Sequence, residues 1–267
     1  MRVHSPWLKR WMSPQSDPHA ADSAGQPWAG RHFDTNASAS DDGSATPALA
    51  DALTRFRAGT AREDAVIDAF REARLLIPLV AHLAESDHDE LGRTIDKTQE
   101  LSIVTVAGPD GRSVLPVFSR VETLSAWNPK ARPVPANGRR VALAAASEQT
   151  ELVVVDPTAE SEFVIRRPAL WAIAQAAPWK PSYADPDVRA AFEHAIGTEL
   201  AVHGVDLASG DPLARLTGPE LIIRLRLAAG LTQLELDAVL ARLAQRWSTD
   251  DAIATRVDSL AVQIVSD

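Results

Sequence analysis

The chain has 267 residues, 45% apolar and 24% charged, with a formal net charge of −9 and no cysteine. Those values suit one large soluble globular domain or two small ones. They exclude disulfides, thiolate catalysis and cysteine-ligated zinc. They also argue against nucleic acid or an anionic membrane surface as a partner, since both call for a positive field.

Seven of the fourteen aromatic residues are Trp. The core must then rest on Leu, Val, Ile and Ala, with Trp filling a few large holes. No run approaches the length of a membrane span. The start, Met1-Arg2-Val3-His4-Ser5-Pro6-Trp7, lacks the apolar stretch of a signal peptide, which makes a cytoplasmic location the expectation.

Residues 1–45 mix Ser, Asp, Pro, Gly and Ala without a sustained period and read as a disordered tail. Within it, Trp7 and Trp11 stand four residues apart, the spacing of a short docking helix or of an unstructured leader. Folding starts at Thr46-Pro47, a cap followed by a first-turn Pro, and the helix ends at Gly59. Thr60-Ala61-Arg62-Glu63 has the form of a capping box, opening a helix with Val66, Ile67, Phe70 and Ala73 on one stripe. Leu75 to Val80 reads as a strand whose Pro78 places it at a sheet edge or a bulge. Glu85 to Thr98 is polar and reads as a loop.

Leu101 to Ala107 and Arg112 to Phe118 form a hairpin around Asp110-Gly111, with limited pairing at Pro116. Ser119-Arg120-Val121-Glu122 is a second candidate box, for a helix that stops near Trp127, and Pro129, Pro133 and Pro135 stiffen a loop. Asn137 caps an Ala-rich helix ending near Ser147, Glu151 to Val155 and Glu162 to Ile165 are short strands, and Pro168 starts a helix through Gln175.

Pro178 and Pro181 mark a boundary, giving modules at 46–180 and 181–267. The second opens with Asp185-Pro186, and Gly197 ends its helix. Glu199 to Leu207 and Pro219 to Leu227 are strands, the latter alternating as a half-buried antiparallel strand does. Thr232-Gln233-Leu234-Glu235 is a third capping box, and its helix carries Leu236, Val239, Leu240, Leu243 and Trp247 on one face. A last strand has Leu260, Val262 and Ile264 on one side. The expected class is α+β: two small modules, each a mostly antiparallel sheet with helices on one face.

The set Asp110-Gly111-Arg112, Leu115-Pro116-Val117-Phe118, Glu122, Leu124, Trp127, Pro129, Ala131 to Pro135, Gly138, Asp156-Pro157, Arg167-Pro168 and Trp171-Ala172 resembles the SseB family, named for enhanced serine sensitivity. The closest form is that of high-GC Gram-positive bacteria. Arg256-Val257-Asp258-Ser259-Leu260 fits its C-terminal end, so the resemblance covers about 46–267. It implies a fold more than an activity, because the family's molecular function is poorly defined.

No nucleophile elbow, phosphate loop, dinucleotide fingerprint or paired-His motif occurs, and no cofactor or metal is expected. Asp87-His88-Asp89 offers metal-ligand types but reads as a solvated linker. His194 and His203 stand alone in sequence. Lys130, Arg132, Arg139, Arg140, Arg166 and Arg167 form a basic set in an acidic chain. It suits either a small anionic ligand or surface pairing with Glu148, Glu151, Glu160 and Glu162.

Trp127, Trp171 and Trp179 suit a recognition groove or a structural plug, and Trp127 and Trp171 are the candidate partner contacts. The leading expectation is a non-enzymatic protein that binds a protein partner or senses a small anion. The alternative, implied by the family name, is an enzyme or modulator of sulfur or amino-acid metabolism with Arg132, Asp156 and Arg167 as its polar site. A homodimer paired through a sheet edge is a third possibility.

Overall fold

The computed structural model describes residues 42–82, 100–197 and 199–265. The stretches that hold Trp7, Trp11 and Asp87-His88-Asp89 lie outside the described residues. In chain order the elements begin α1 (Pro47–Arg57), α2 (Glu63–Glu72), β1 (Arg74–His82), β2 (Glu100–Ile103), β3 (Val106–Ala107), β4 (Ser113–Val117) and α3 (Val121–Trp127). They continue β5 (Arg132–Asn137), α4 (Gly138–Ser147), β6 (Val153–Val155), β7 (Phe163–Ile165) and α5 (Arg167–Ala174). The last are α6 (Pro186–Ile196), β8 (Val202–Ser209), β9 (Leu221–Leu227), α7 (Gln233–Ser248), α8 (Asp251–Arg256) and β10 (Leu260–Val265).

Pro47 occupies the first turn of α1, where a missing N–H costs nothing. The Thr46 hydroxyl accepts the N–H of Arg74 rather than capping the helix, which ties the helix start to β1. The box expected at Thr60 to Glu63 does not form. The N–H groups of Thr60 and Ala61 both return to the Arg55 carbonyl, so Thr60 still belongs to the end of α1, and α2 starts one residue after Arg62. The stripe Val66, Ile67, Phe70 and Ala73 is fully buried, as its spacing indicates.

Three proline positions explain the first sheet, ordered β2-β1-β5 and antiparallel throughout. β1 is its central strand, not the edge that Pro78 suggested. Leu76 exchanges both backbone hydrogen bonds with Phe118, so even-numbered residues of β1 face that side and odd ones face β5. Pro78 therefore looks into the gap between the Phe118 bridge and the β2 ladder, which starts at Leu79. The presumed loop at 132–137 is the edge strand β5. Arg132, Val134 and Ala136 stand opposite Leu79, Ile77 and Leu75, so Pro133 and Pro135 turn their ring nitrogens outward, where no donor is needed.

The second sheet runs β3-β4-β6-β7, with β4 and β6 parallel. Gly111, at φ 82°, closes the expected hairpin, and β3 reaches only Val114, leaving Pro116 free of it. α3 forms without its predicted box, because the Ser119 hydroxyl is engaged elsewhere. Asn137 caps α4 by accepting the Arg140 N–H. A Cβ on Gly138 would collide with the Phe70 carbonyl oxygen, so only glycine allows α4 to start this close to α2. α1, α2, α4 and α5 enclose one hydrophobic core with β1, β4, β6 and β7.

The third sheet is β10-β9-β8. β9 alternates as its sequence indicates, burying Leu221, Ile223, Leu225 and Leu227, but its second neighbour, β10, is parallel. Asp185 caps α6, and Thr232 and Glu235 form the expected reciprocal box on α7. Val239, Leu243 and Trp247 pack with Phe192 and the β9 face into a second core. The class is α+β with three mostly antiparallel sheets. No helix among the described residues is long and apolar enough to cross a membrane.

Candidate functional site

Asp156 is fully buried just after β6. Its Oδ1 accepts the Ser119 N–H at 2.8 Å and the Thr123 hydroxyl at 2.7 Å; its Oδ2 accepts the hydroxyls of Ser119 at 2.6 Å and Ser161 at 2.8 Å. Four donors occupy the lone pairs of a desolvated carboxylate, which is what makes its burial tolerable. The group locks α3 and the loop after β6 to the end of β4. It presents no open lone-pair direction to a substrate.

A second polar cluster joins the segments around the two cores. Arg166, immediately before α5, donates to Asp211 at 2.7 Å, Asp258 at 3.1 Å, the Gly218 carbonyl at 3.0 Å and the Ser259 hydroxyl at 3.3 Å. Arg112, from the β3–β4 turn, bridges Asp258 at 3.0 Å and Asp110 at 2.7 Å. Asp211 also caps its own loop, accepting from the Arg215 and Leu216 N–H groups and the Thr217 hydroxyl. Burial alone would raise the Asp211 carboxyl; the Arg215 N–H, Arg166 and Thr217 outweigh it and hold it below the usual carboxylate range.

Glu220, beside them, accepts the Asp258 N–H, and burial with the nearby Asp258 charge pushes its carboxyl upward. Tyr183 donates to Glu63 at 2.6 Å, and burial together with that contact pushes its phenol above the usual range. The adjoining cavity, about 40 Å³, has room for little more than a water molecule.

A separate recess lies beside α5. Pro168, Trp171, Pro178, Trp179, Pro186 and Arg256 line a cleft of about 540 Å³ between α5, the chain after it, the start of α6 and the end of α8. Trp171 is 46% exposed, and the Arg167 guanidinium lies 5.1 Å from its ring centre. Arg167 also donates to the carbonyls of Ala254 and Val257 at the end of α8, so the stacked pair is fixed in place. Arg71 donates to the Ala172 and Ala177 carbonyls, and Arg139 to that of Ala174, which holds the opposite wall. Arg256 is tethered to Asp185 and Asp187.

The sequence-based candidates separate. Arg132 is exposed on the edge strand β5, Asp156 lies under α3, and Arg167 sits on α5; no hydrogen bond or ion pair among the described residues links any two of them. Trp127 leans on Phe118, ring centres 5.3 Å apart, away from the cleft, whereas Trp171 and Trp179 share it. Of the basic set, Arg166, Arg167 and Arg139 bond to partners other than the four glutamates expected. His194 and His203 are exposed on α6 and β8. Among the described residues no three His, Asp or Glu side chains are grouped to hold a metal ion. Sequence reading missed Asp211, Asp258 and Glu220 as partners. Asp258 stood in the family-like Arg256 to Leu260 run, but nothing local signals a bond to Arg166, 92 residues away.

Residues 49–172 match the model of the SseB protein N-terminal domain. Over that stretch the chain is similar to SseB family proteins. The match ends within α5, two residues before its last turn closes at Ala174. A search of the curated proteins finds no match to the chain.

Proposed function

We propose that this protein is a non-enzymatic, cytoplasmic binding protein that engages a protein partner through the Trp171–Trp179 cleft. The observation that carries this reading is the exposed Trp171 ring, backed by Arg167 and set in a cleft with proline-rich, hydrogen-bonded walls. Aromatic and Arg anchors in preorganised recesses are the usual centres of binding energy. Asp156 and Arg166 favour the same reading, because their bonding capacity is already taken up by the fold. The anion-sensing alternative is weaker, since Arg132 and Arg167 share no recess.

The test is photo-crosslinking in the native host with a photoreactive residue replacing Trp171, and another replacing Trp127 as control. A protein adduct is expected at position 171 and not at 127. Equal labelling at both, or none at either, would reject the cleft.

A further inference from the structure

β10 is an edge strand, yet it carries none of the usual protection. Its sequence, Leu260-Ala261-Val262-Gln263-Ile264-Val265, has no charge and no proline. β5, by contrast, is blocked by Pro133 and Pro135, and the β7 edge is occupied where the Val164 N–H meets the Ala214 carbonyl. Register places Leu260, Val262 and Ile264 on the same face as the buried Leu221, Ile223 and Leu225, but they remain 38%, 38% and 47% exposed. That is an unfinished margin of the second core.

The backbone polarity is also fixed. The Leu221 N–H donates to the Ser259 carbonyl, so Ser259, Ala261 and Gln263 face β9, and the N–H and C=O groups of Leu260, Val262 and Ile264 point to the open edge. Among the described residues no strand pairs with that edge.

We infer that β10 pairs antiparallel with β10 of a second copy of this chain, about a twofold axis at Val262. This is independent of the cleft. In that register Leu260 faces Ile264 of the other copy and Val262 faces its own equivalent. These are the residues whose backbone groups point outward, so both hydrogen bonding and apolar surface are self-complementary. Twofold pairing sets like against like, which in a chain of net charge −9 favours an uncharged strand. Six residues span only about 20 Å, below what a standard interface of about 1,600 Å² requires, so the dimer is a weak, concentration-dependent one.

Sedimentation of the full chain from about 10 μM to 1 mM tests this range of weak association. A monomer that converts to dimer is expected. Val262→Pro removes an outward N–H without touching the β9 ladder, and should weaken association about tenfold or more. Its unfolding midpoint should stay near that of the parent. Val262→Lys should act likewise. Because the chain has no cysteine, Val262→Cys should form an intermolecular disulfide under mild oxidation, and Leu234→Cys, exposed on α7, should not. A monomer at every concentration, or a dimer indifferent to both Val262→Pro and Val262→Lys, would overturn the inference.

Discussion

Replacing Arg166 by Ala leaves two carboxylates buried beside each other. The Arg166 side chain is 10% exposed, and those of Asp211 and Asp258 are 2% and 1% exposed. Removing one partner of a buried ion pair costs about 3–5 kcal/mol, mostly because the opposite charge is left uncompensated. Two features place this case at the lower end. Asp211 keeps its Arg215, Leu216 and Thr217 donors, and Asp258 keeps Arg112. A loss of about 3 kcal/mol corresponds to a drop of roughly 6–12 °C in Tm for a chain of this size.

The pH dependence follows from Asp211, whose carboxyl lies below its usual range partly because of Arg166. A depressed carboxyl contributes stability above its unfolded value, near 3.9, and loses it as pH falls through the folded value. The deficit of Arg166→Ala should therefore be largest near neutrality and shrink as pH falls below about 4. Urea unfolding followed by Trp fluorescence at several pH values measures it. A neutral-pH loss below about 1 kcal/mol would refute the view that this cluster holds the fold together.

Glu220→Gln should act in the opposite sense. The Glu220 carboxyl is raised by burial, so its contribution is complete below the unfolded value, near 4.3, and is lost as pH rises through the folded value. The Gln variant, which still accepts the Asp258 N–H, should unfold at higher urea than the parent at pH 8 and equally near pH 4; a lower midpoint at pH 8 would contradict this. Asp156→Ala removes the acceptor of the Ser119 N–H and of the Ser119, Thr123 and Ser161 hydroxyls and should cost about 3–5 kcal/mol, with Asp156→Asn intermediate, since its amide can accept at one atom only. Thermal unfolding by circular dichroism checks both, and a shift of under 2 °C or so for Asp156→Ala would contradict the account.

Much of the fold was legible because it depends on local signals. Gly59 and Gly197 end their helices, Asn137, Asp185 and Thr232 cap theirs, and the alternation in β9 matches its burial residue by residue. Two of the errors share one cause, which is that a long-range partner outcompeted the local motif. The Ser119 hydroxyl left its helix for Asp156, and the Thr46 hydroxyl left its own for Arg74. Pro78 was misread as an edge signal because sequence does not show where the neighbouring ladder starts. The candidate site was less legible for the same reason. Trp171 and Trp179 are eight residues apart and meet at the cleft, but Arg256, on its far side, is distant in sequence.

The central proposal is that recognition resides in the Trp171 cleft while the buried polar residues Asp156 and Arg166 maintain the fold. Quantitative affinity capture from the native host, comparing the parent chain with Trp171→Ala and Arg132→Ala, tests it most directly. Trp171→Ala should keep the parent's unfolding midpoint and lose a partner that Arg132→Ala retains. Retention of every partner by Trp171→Ala, or loss confined to Arg132→Ala, would contradict it.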